Sequence, residues 1–276
     1  MHTFTLNDGH IIEQIGFGTY KLNGINGVHA IHTALKAGYR VLDTAYNYEN
    51  EGAVGKAIKQ SGIPRKDITI ISKLPGRYQS YDDVFQTIQE SLFRLGVDYI
   101  DIYLIHWPNP RQGLYVEAWK AMIAAQKAGL IRSIGVCNFL PEYIDTLKEE
   151  TGVLPVINQI ELHPYFNQEN MISFHKENDI LIQAWSPIGR DNGVLNETCL
   201  KHLAVKYNKS VAQIVLKWHI QRGIMPIPKA TKPHRQIENY TLFDFHLSEE
   251  DVHQINQLTR EEGRRKGQDP ASYEEF

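Results

Sequence analysis

Short apolar runs alternate with segments of helical periodicity along almost the whole chain. The helical segments carry apolar residues three or four positions apart, as in Phe85, Ile88, Leu92 and Leu95, and this spacing places one apolar stripe against a sheet. We interpret eight of the short apolar runs as β-strands. They cover residues 14–16, 39–42, 69–72, 100–105, 133–136, 156–158, 180–184 and 225–227.

Strands that alternate with helices pair in parallel, because each crossover helix returns the chain to the same end of the sheet. Eight such units fit a closed barrel better than an open sheet with two edges. The pattern therefore predicts an α/β fold, a (β/α)8 TIM barrel, as one catalytic domain over residues 1–276. We expect an N-terminal β-hairpin turning at 7–9, and extra helices near the C-terminus within 195–222, with Ser210 as an N-cap, and at 248–258.

Composition and charge favour a small molecule as the partner. A formal net charge of -3 gives no electrostatic reason to expect nucleic acid or an anionic membrane. The N-terminus lacks the pattern of a signal peptide, and no run approaches 18 apolar residues. Cys137 and Cys199 have no CxxC spacing, which favours a reducing compartment. We therefore expect a cytoplasmic protein.

Titratable side chains follow three successive predicted strands. Asp43 follows strand 39–42, Lys73 follows 69–72 and His106 follows 100–105, while Tyr48 lies five residues after Asp43. In a barrel, the C-terminal ends of the strands converge on the face that carries the active site. Taken singly, each residue has an ordinary explanation, such as a helix cap, a surface cation or a core histidine. Their placement at adjacent strand ends favours a catalytic cluster.

This set of side chains suits proton transfer to a carbonyl group. A phenol has an ordinary pKa of about 10, and a nearby ammonium stabilises its phenolate. A unit charge 4 Å away at an effective dielectric near 20 is worth roughly 4 kcal/mol, so we expect Lys73 to bring the pKa of Tyr48 towards neutrality. Asp43 would keep Lys73 charged, and His106 would donate a hydrogen bond to the carbonyl oxygen. No Ser or Cys nucleophile motif accompanies the cluster, which argues against a nucleophilic hydrolase.

The same residues lie in segments that resemble the aldo-keto reductases along nearly the whole chain. The segments are 38–45 with Tyr48, 71–73, 104–108, 135–139, 158–159, 184–187, and 227–229 with Arg235, Glu238 and Asn239. The resemblance is closest to the short bacterial branch that reduces methylglyoxal and 2,5-diketo-D-gluconate. It implies a catalytic tetrad of Asp43, Tyr48, Lys73 and His106. It also implies that aldehydes, dicarbonyls or ketones are reduced to alcohols, with hydride from NADPH and a proton from Tyr48.

A Rossmann site for the cofactor is not supported, because Gly16-Phe17-Gly18 lacks the third glycine of GxGxxG. The resemblance instead places NADPH in the barrel mouth. Its nicotinamide ring would stack on Trp185, and its carboxamide would be held by Asn138 and Gln159. The resemblance implies further cofactor contacts from Gly18, Thr19, Ser186, Lys229, Ala230, Thr231, Arg235, Glu238 and Asn239.

The 2′-phosphate of NADPH has a candidate clamp of its own. Lys229 and Arg235, six residues apart after the last strand, are suited to hold a dianion that NADH lacks. The family often has Ser at the position of Cys137 and a hydroxyl residue at the position of Ala230. Loss of that hydroxyl removes a hydrogen bond typically worth about 1.5 to 3 kcal/mol, which leaves NADH open as a second cofactor. We expect NADPH to be preferred.

Tyr20, Trp107 and Phe139 are expected to form an aromatic collar around the mouth, suited to small carbonyl substrates. Loop 107–114 and tail 259–276 are short compared with larger family members, which predicts an open pocket and broad specificity. The histidines lack a metal-ligand spacing such as HExxH, so we expect no metal. By resemblance, we expect a monomer.

Two other functions stay open. This barrel also serves as a nicotinamide-binding regulatory or structural subunit, but the complete tetrad argues against that function. A hydrolase or isomerase could use Asp43 and His106 without nicotinamide, but Trp185, Lys229 and Arg235 argue against it. The fold alone would not separate these functions, because barrels carry many chemistries.

Overall fold

The computed structural model describes residues 2–276. The chain opens with an antiparallel hairpin, β1 (Thr3–Thr5) and β2 (Ile11–Glu13). A parallel sheet of eight strands follows. Its strands are β3 (Phe17–Gly18), β4 (Val41–Asp43), β5 (Thr69–Leu74), β6 (Ile100–Ile105), β7 (Ile131–Cys137), β8 (Ile157–Glu161), β9 (Leu181–Trp185) and β10 (Met225–Pro226).

The eight strands pair in chain order, and backbone hydrogen bonds join the two outermost ones into a barrel. Gly16 N donates to Pro226 O and Gly18 N donates to Pro228 O, each at 3.1 Å. The predicted (β/α)8 barrel with its N-terminal hairpin is therefore confirmed. The predicted first strand, 14–16, was placed too early. Gln14 N donates to His2 O at 3.0 Å and so continues the hairpin, and the barrel strand begins at Phe17.

Helices cover the outside of the sheet. They are α1 (Gly24–Ala37), α2 (Glu51–Ser61), α3 (Tyr81–Leu95), α4 (Tyr115–Lys127), α5 (Pro141–Thr151), α6 (Glu169–Glu177), α7 (Thr198–Tyr207), α8 (Val211–Gln221), α9 (Pro233–Tyr240) and α10 (Glu249–Asn256). In α3 the stripe that includes Ile88, Leu92 and Leu95 is buried, as its spacing predicts. Within residues 2–276, no helix is both long enough and apolar enough to cross a membrane.

The extra helices near the C-terminus are also confirmed. Helices α7 and α8 are separated at Asn208, whose backbone is left-handed with φ 52°. Ser210 then begins α8 with a capping box, because its hydroxyl accepts from Gln213 N and the Gln213 side chain accepts from Ser210 N. Ser248 caps α10 in a similar way by accepting from Asp251 N.

A buried histidine makes the stability of the fold depend on pH. His175 is 1% exposed, with Nδ1 2.6 Å from Met171 O and Nε2 2.9 Å from Asn158 Nδ2. These contacts fit a neutral ring that donates through Nδ1 and accepts through Nε2, and burial lowers the pKa of His175 to about 4. An unfolded histidine has a pKa of about 6.5. Between these two values the unfolded chain binds the extra proton, so stability falls as the pH falls.

We predict that, because of His175, the free energy of unfolding is about 2 kcal/mol smaller at pH 5 than at pH 7.5. Urea denaturation at the two pH values measures the difference. In His175→Gln, the decrease in the free energy of unfolding from pH 7.5 to pH 5 should be about 2 kcal/mol smaller than in the parent. His29→Gln, at an exposed position of α1, is the control and should leave the pH dependence unchanged. An equal pH dependence in the parent and His175→Gln would contradict the prediction.

Candidate active site

Four titratable side chains meet at the C-terminal ends of three neighbouring strands. Asp43 is the last residue of β4, Lys73 lies near the end of β5, and His106 directly follows β6. Tyr48 ends the 3₁₀ turn Tyr46–Tyr48 on the loop after β4. The barrel brings these four residues together because parallel strands present their C-terminal ends on one face.

Lys73 is held as a buried ammonium. Its Nζ donates to Asp43 Oδ1 and to Thr44 O, each at 2.7 Å, and its side chain has no exposed surface. Burial by itself would lower the pKa of Lys73, but Asp43 and then Tyr48 raise it above its ordinary value. Lys73 therefore carries its positive charge at neutral pH.

Tyr48 lies near both this ammonium and the imidazole. Lys73 Nζ is 5.0 Å from the centroid of the Tyr48 ring, and the rings of Tyr48 and His106 meet edge-on with centroids 5.8 Å apart. Burial raises the pKa of Tyr48 above its ordinary value. Lys73 lowers it, and Asp43 offsets part of that effect. The expectation that Lys73 brings the pKa of Tyr48 towards neutrality is therefore wrong for this structure, and the phenol is protonated at neutral pH.

An amide side chain from β8, joined to a second one from β9, holds the carboxylate of the cluster. Gln159, in β8, donates from Nε2 to Asp43 Oδ2 at 2.7 Å and to Gln183 Oε1 at 2.5 Å. Gln183 was not singled out from the sequence, although a polar residue within the apolar run of β9 is a signal for such a role. Gln159 therefore fixes the second carboxylate oxygen of Asp43.

Asn138 connects the ends of three strands. Its Nδ2 donates to His106 O at 3.0 Å, and Trp185 Nε1 donates to its Oδ1 at 2.8 Å. Both Asn138, with φ 60°, and Ser186, with φ 50°, have left-handed backbones directly after β7 and β9. Such conformations cost energy in residues other than glycine and cluster at functional sites.

Cations converge at the rim near Tyr20. Lys21 Nζ lies 5.5 Å and Arg190 Cζ 5.1 Å from the centroid of the Tyr20 ring. Burial lowers the pKa of Lys229, and the positive charges of Lys21 and Arg190 lower it further. Across residues 2–276, no carboxylate forms an ion pair with any of these three cations. Like charges held together in this way favour an anionic ligand. Lys21 and Arg190 were not singled out from the sequence.

The other residues expected at the cofactor lie on two segments of the rim. On the first, Gly18 is so close to the segment that follows β10 that an added Cβ would lie 2.9 Å from Ile227 O, and Thr19 Oγ1 donates to Asp43 O at 2.8 Å. On the second, which follows β10, Ala230 and Asn239 are buried, Thr231 and Arg235 are exposed, and Glu238 accepts from Ser210 Oγ.

The aromatic collar differs from the expected one. Tyr20 is 40% exposed and meets the Tyr48 ring edge-on with centroids 5.0 Å apart. Trp107 is only 5% exposed, because Tyr273 packs against it with ring centroids 4.3 Å apart. Phe139 has no exposed surface and packs among Tyr115 and Tyr143, so its side chain lies in the core and not on the rim.

The tail 259–276 was expected to leave the pocket open, but it covers this side of the mouth. Tyr273 packs on Trp107, and Arg111 N donates to Glu274 Oε1 at 2.7 Å. Aromatic packing and backbone hydrogen bonds hold a short tail in place even where its sequence carries no strong helix or strand signal. In residues 2–276, no group of three or more His, Cys, Asp or Glu side chains is arranged to hold a metal ion.

Comparisons with known proteins agree with these features. The aldo/keto reductase family model matches residues 14–260. The chain is 47% identical over 274 residues to the 2,5-diketo-D-gluconic acid reductase B of Corynebacterium sp., covering 99% of this chain and 98% of that protein. It is 43% identical over 269 residues to the methylglyoxal reductase DkgA of Salmonella typhimurium, covering 97% and 96%. A solved structure of a Gox0644 variant in complex with NADPH has a TM-score of 0.94 at 38% identity and covers 99% of this chain and 98% of that one. The chain therefore belongs to the aldo/keto reductase family.

Proposed function

We propose that this protein reduces small aldehydes and dicarbonyls with NADPH, and that Tyr48 donates the proton. The observation that carries the proposal is the cluster in which the buried Lys73 ammonium, paired with Asp43, faces the Tyr48 ring beside His106. The names of two relatives, a 2,5-diketo-D-gluconic acid reductase and a methylglyoxal reductase, support small dicarbonyls as the substrate class.

The residues of the mouth fit NADPH. The cations Lys21, Arg190 and Lys229 form no ion pairs with carboxylates of residues 2–276 and would meet its phosphate groups. Gly18 permits a close approach to the backbone there. The NADPH complex of a related structure, 38% identical to this chain, also supports this cofactor. When bound, NADPH supplies the hydride that adds to the carbonyl carbon.

The side chains of the cluster have separate tasks in this proposal. Tyr48 and His106 donate hydrogen bonds to the carbonyl oxygen, and the Tyr48 proton moves to that oxygen as negative charge develops on it. Lys73 stabilises the phenolate that Tyr48 becomes. This matters because burial raises the pKa of Tyr48 and makes the phenol a weaker acid. Asp43 keeps Lys73 charged, and Gln159 keeps Asp43 in place.

We predict that Tyr48→Phe lowers kcat for methylglyoxal by about 100- to 10,000-fold, the usual contribution of a positioned general acid. NADPH should still bind with an unchanged Kd, because the change removes one hydroxyl from the cluster. The loss of reduced-nicotinamide absorbance measures turnover, and fluorescence titration measures binding.

Tyr46→Phe is the matched control for this test, because Tyr46 lies in the same 3₁₀ turn and its ring faces the guanidinium of Arg94. We expect it to keep the activity of the parent. Full activity in Tyr48→Phe would show that another group donates the proton. Absence of NADPH oxidation by the parent with several small aldehydes and dicarbonyls would contradict the proposed reaction as a whole.

We predict that Lys229→Met weakens NADPH binding by about 10- to 100-fold, as expected when a hydrogen bond between charged groups is lost. If Lys229 contacts the 2′-phosphate, the Kd for NADH should change by less than about threefold. Lys232→Met, an exposed lysine on the same segment, is the control and should bind NADPH like the parent. Equal losses for NADPH and NADH would assign Lys229 to a phosphate that both cofactors carry.

A further inference from the structure

A carboxylate from the C-terminal tail touches the imidazole of the cluster. Glu275 Oε1 lies 2.7 Å from His106 Nδ1, and Glu275 is only 8% exposed. The oxygen lies off the direction of the Nδ1–H bond, so Nδ1 donates no hydrogen bond to it and the contact is an ion pair with a protonated ring. Because Nδ1 faces the carboxylate, Nε2 is the ring nitrogen left for a ligand.

Several loops build the position of Glu275. Its Oε2 accepts from Gly76 N and its Oε1 accepts from Asn47 Nδ2, each at 2.8 Å. Its backbone exchanges two hydrogen bonds with the Asn109 side chain, at 3.0 Å and 2.9 Å. These contacts come from the loops after β4, β5 and β6, the same strands that carry the catalytic cluster. The carboxylate is therefore placed by the barrel and does not depend on the tail alone.

Gly76 leaves the space that this arrangement needs. A Cβ at position 76 would lie 2.3 Å from Asn109 Nδ2 and 2.5 Å from Glu275 O. Either contact is too short for real atoms, so a side chain there would displace the tail or Asn109. The absence of a side chain at position 76 therefore lets the backbone of Glu275 pack directly against the loop after β5.

The charge of Glu275 is suited to act on His106. Burial by itself would raise the pKa of Glu275, but His106, Asn47 and the Gly76 N–H lower it overall, so the carboxylate is ionised at neutral pH. Of the other charges near the ring, Lys73 is already paired with Asp43, and Tyr48 is neutral. Glu275 is therefore the anion in contact with the imidazole.

We propose that Glu275 is a positioning residue for His106: its carboxylate fixes the ring through Nδ1 and balances a doubly protonated imidazole, so that Nε2–H is available to the substrate oxygen. A histidine that forms an ion pair with a carboxylate at Nδ1 and donates a hydrogen bond through Nε2 carries a proton on both nitrogens. This inference rests on the proposed function in one respect: it takes from it that His106 donates a hydrogen bond to the carbonyl oxygen of the substrate. The state of the ring itself is measurable without any substrate.

The test compares Glu275→Gln with Glu274→Gln in the full chain. Both variants remove one negative charge from adjacent residues of the tail. Glu274 accepts from Arg111 N, a bond that a glutamine oxygen retains, and it has no contact with His106. Spectra of ¹⁵N-histidine-labelled protein at pH 6.5 report the protonation of each ring nitrogen, and the His106 signals among the 12 histidines are those absent in His106→Gln.

In Glu275→Gln we expect the His106 signals to shift towards those of a singly protonated ring, while Glu274→Gln matches the parent. We also expect kcat for methylglyoxal to fall by about 10- to 100-fold, as for a misplaced catalytic group, with the Kd for NADPH within about twofold of the parent. Glu275→Asp, which restores the charge, should recover part of the shift and part of the activity.

The inference is overturned if His106 in Glu275→Gln keeps the spectrum of the parent, or if Glu274→Gln produces the same changes. If Glu275→Gln keeps full activity while Tyr48→Phe loses it, the proposed reaction stands and the role of Glu275 is wrong. If the parent itself reduces no carbonyl compound, the proposed reaction fails, and the His106 spectra still decide whether Glu275 sets the protonation of the ring.

Discussion

The buried ion pair between Asp43 and Lys73 is the interaction on which the site depends. Removing two charges from water costs several kcal/mol per ion, and a protein tolerates it only when each charge is paired and hydrogen-bonded. Here Thr44 O accepts a second hydrogen bond from the ammonium, and Gln159 donates to the free carboxylate oxygen. These bonds hold the ammonium in place, with its Nζ 5.0 Å from the centroid of the Tyr48 ring.

The barrel sets the geometry of this cluster through the register of its strands. Asp43 is aligned with Ile71, and Lys73 with Leu104, so the charged residues of adjacent strands lie within two positions of one another. His106 N then donates to Leu74 O and extends the same ladder beyond β6. Side chains on strands are held more rigidly than side chains on loops, and this rigidity suits a site that must stabilise charge without rearranging.

Burial acts on the site in two directions. It excludes water and strengthens the attraction between Lys73 and a forming phenolate, yet it also raises the pKa of Tyr48. A phenol that remains protonated until the oxygen of a carbonyl becomes basic is a useful donor, because its interaction with Lys73 strengthens only as the proton leaves. The C-terminal tail adds to this burial by covering Trp107 and by bringing Glu275 to His106.

The sequence by itself determined the barrel, the hairpin, the extra helices near the C-terminus and the Ser210 cap, because periodicity and capping are local properties. It also placed Asp43, Lys73 and His106 at adjacent strand ends, since chain order equals strand order in this barrel. Only the tertiary structure decided that Phe139 is buried, that the tail covers the mouth and that burial raises the pKa of Tyr48. Each of these depends on contacts between residues far apart in the chain, such as Glu275 with His106, and on desolvation, which no local pattern encodes.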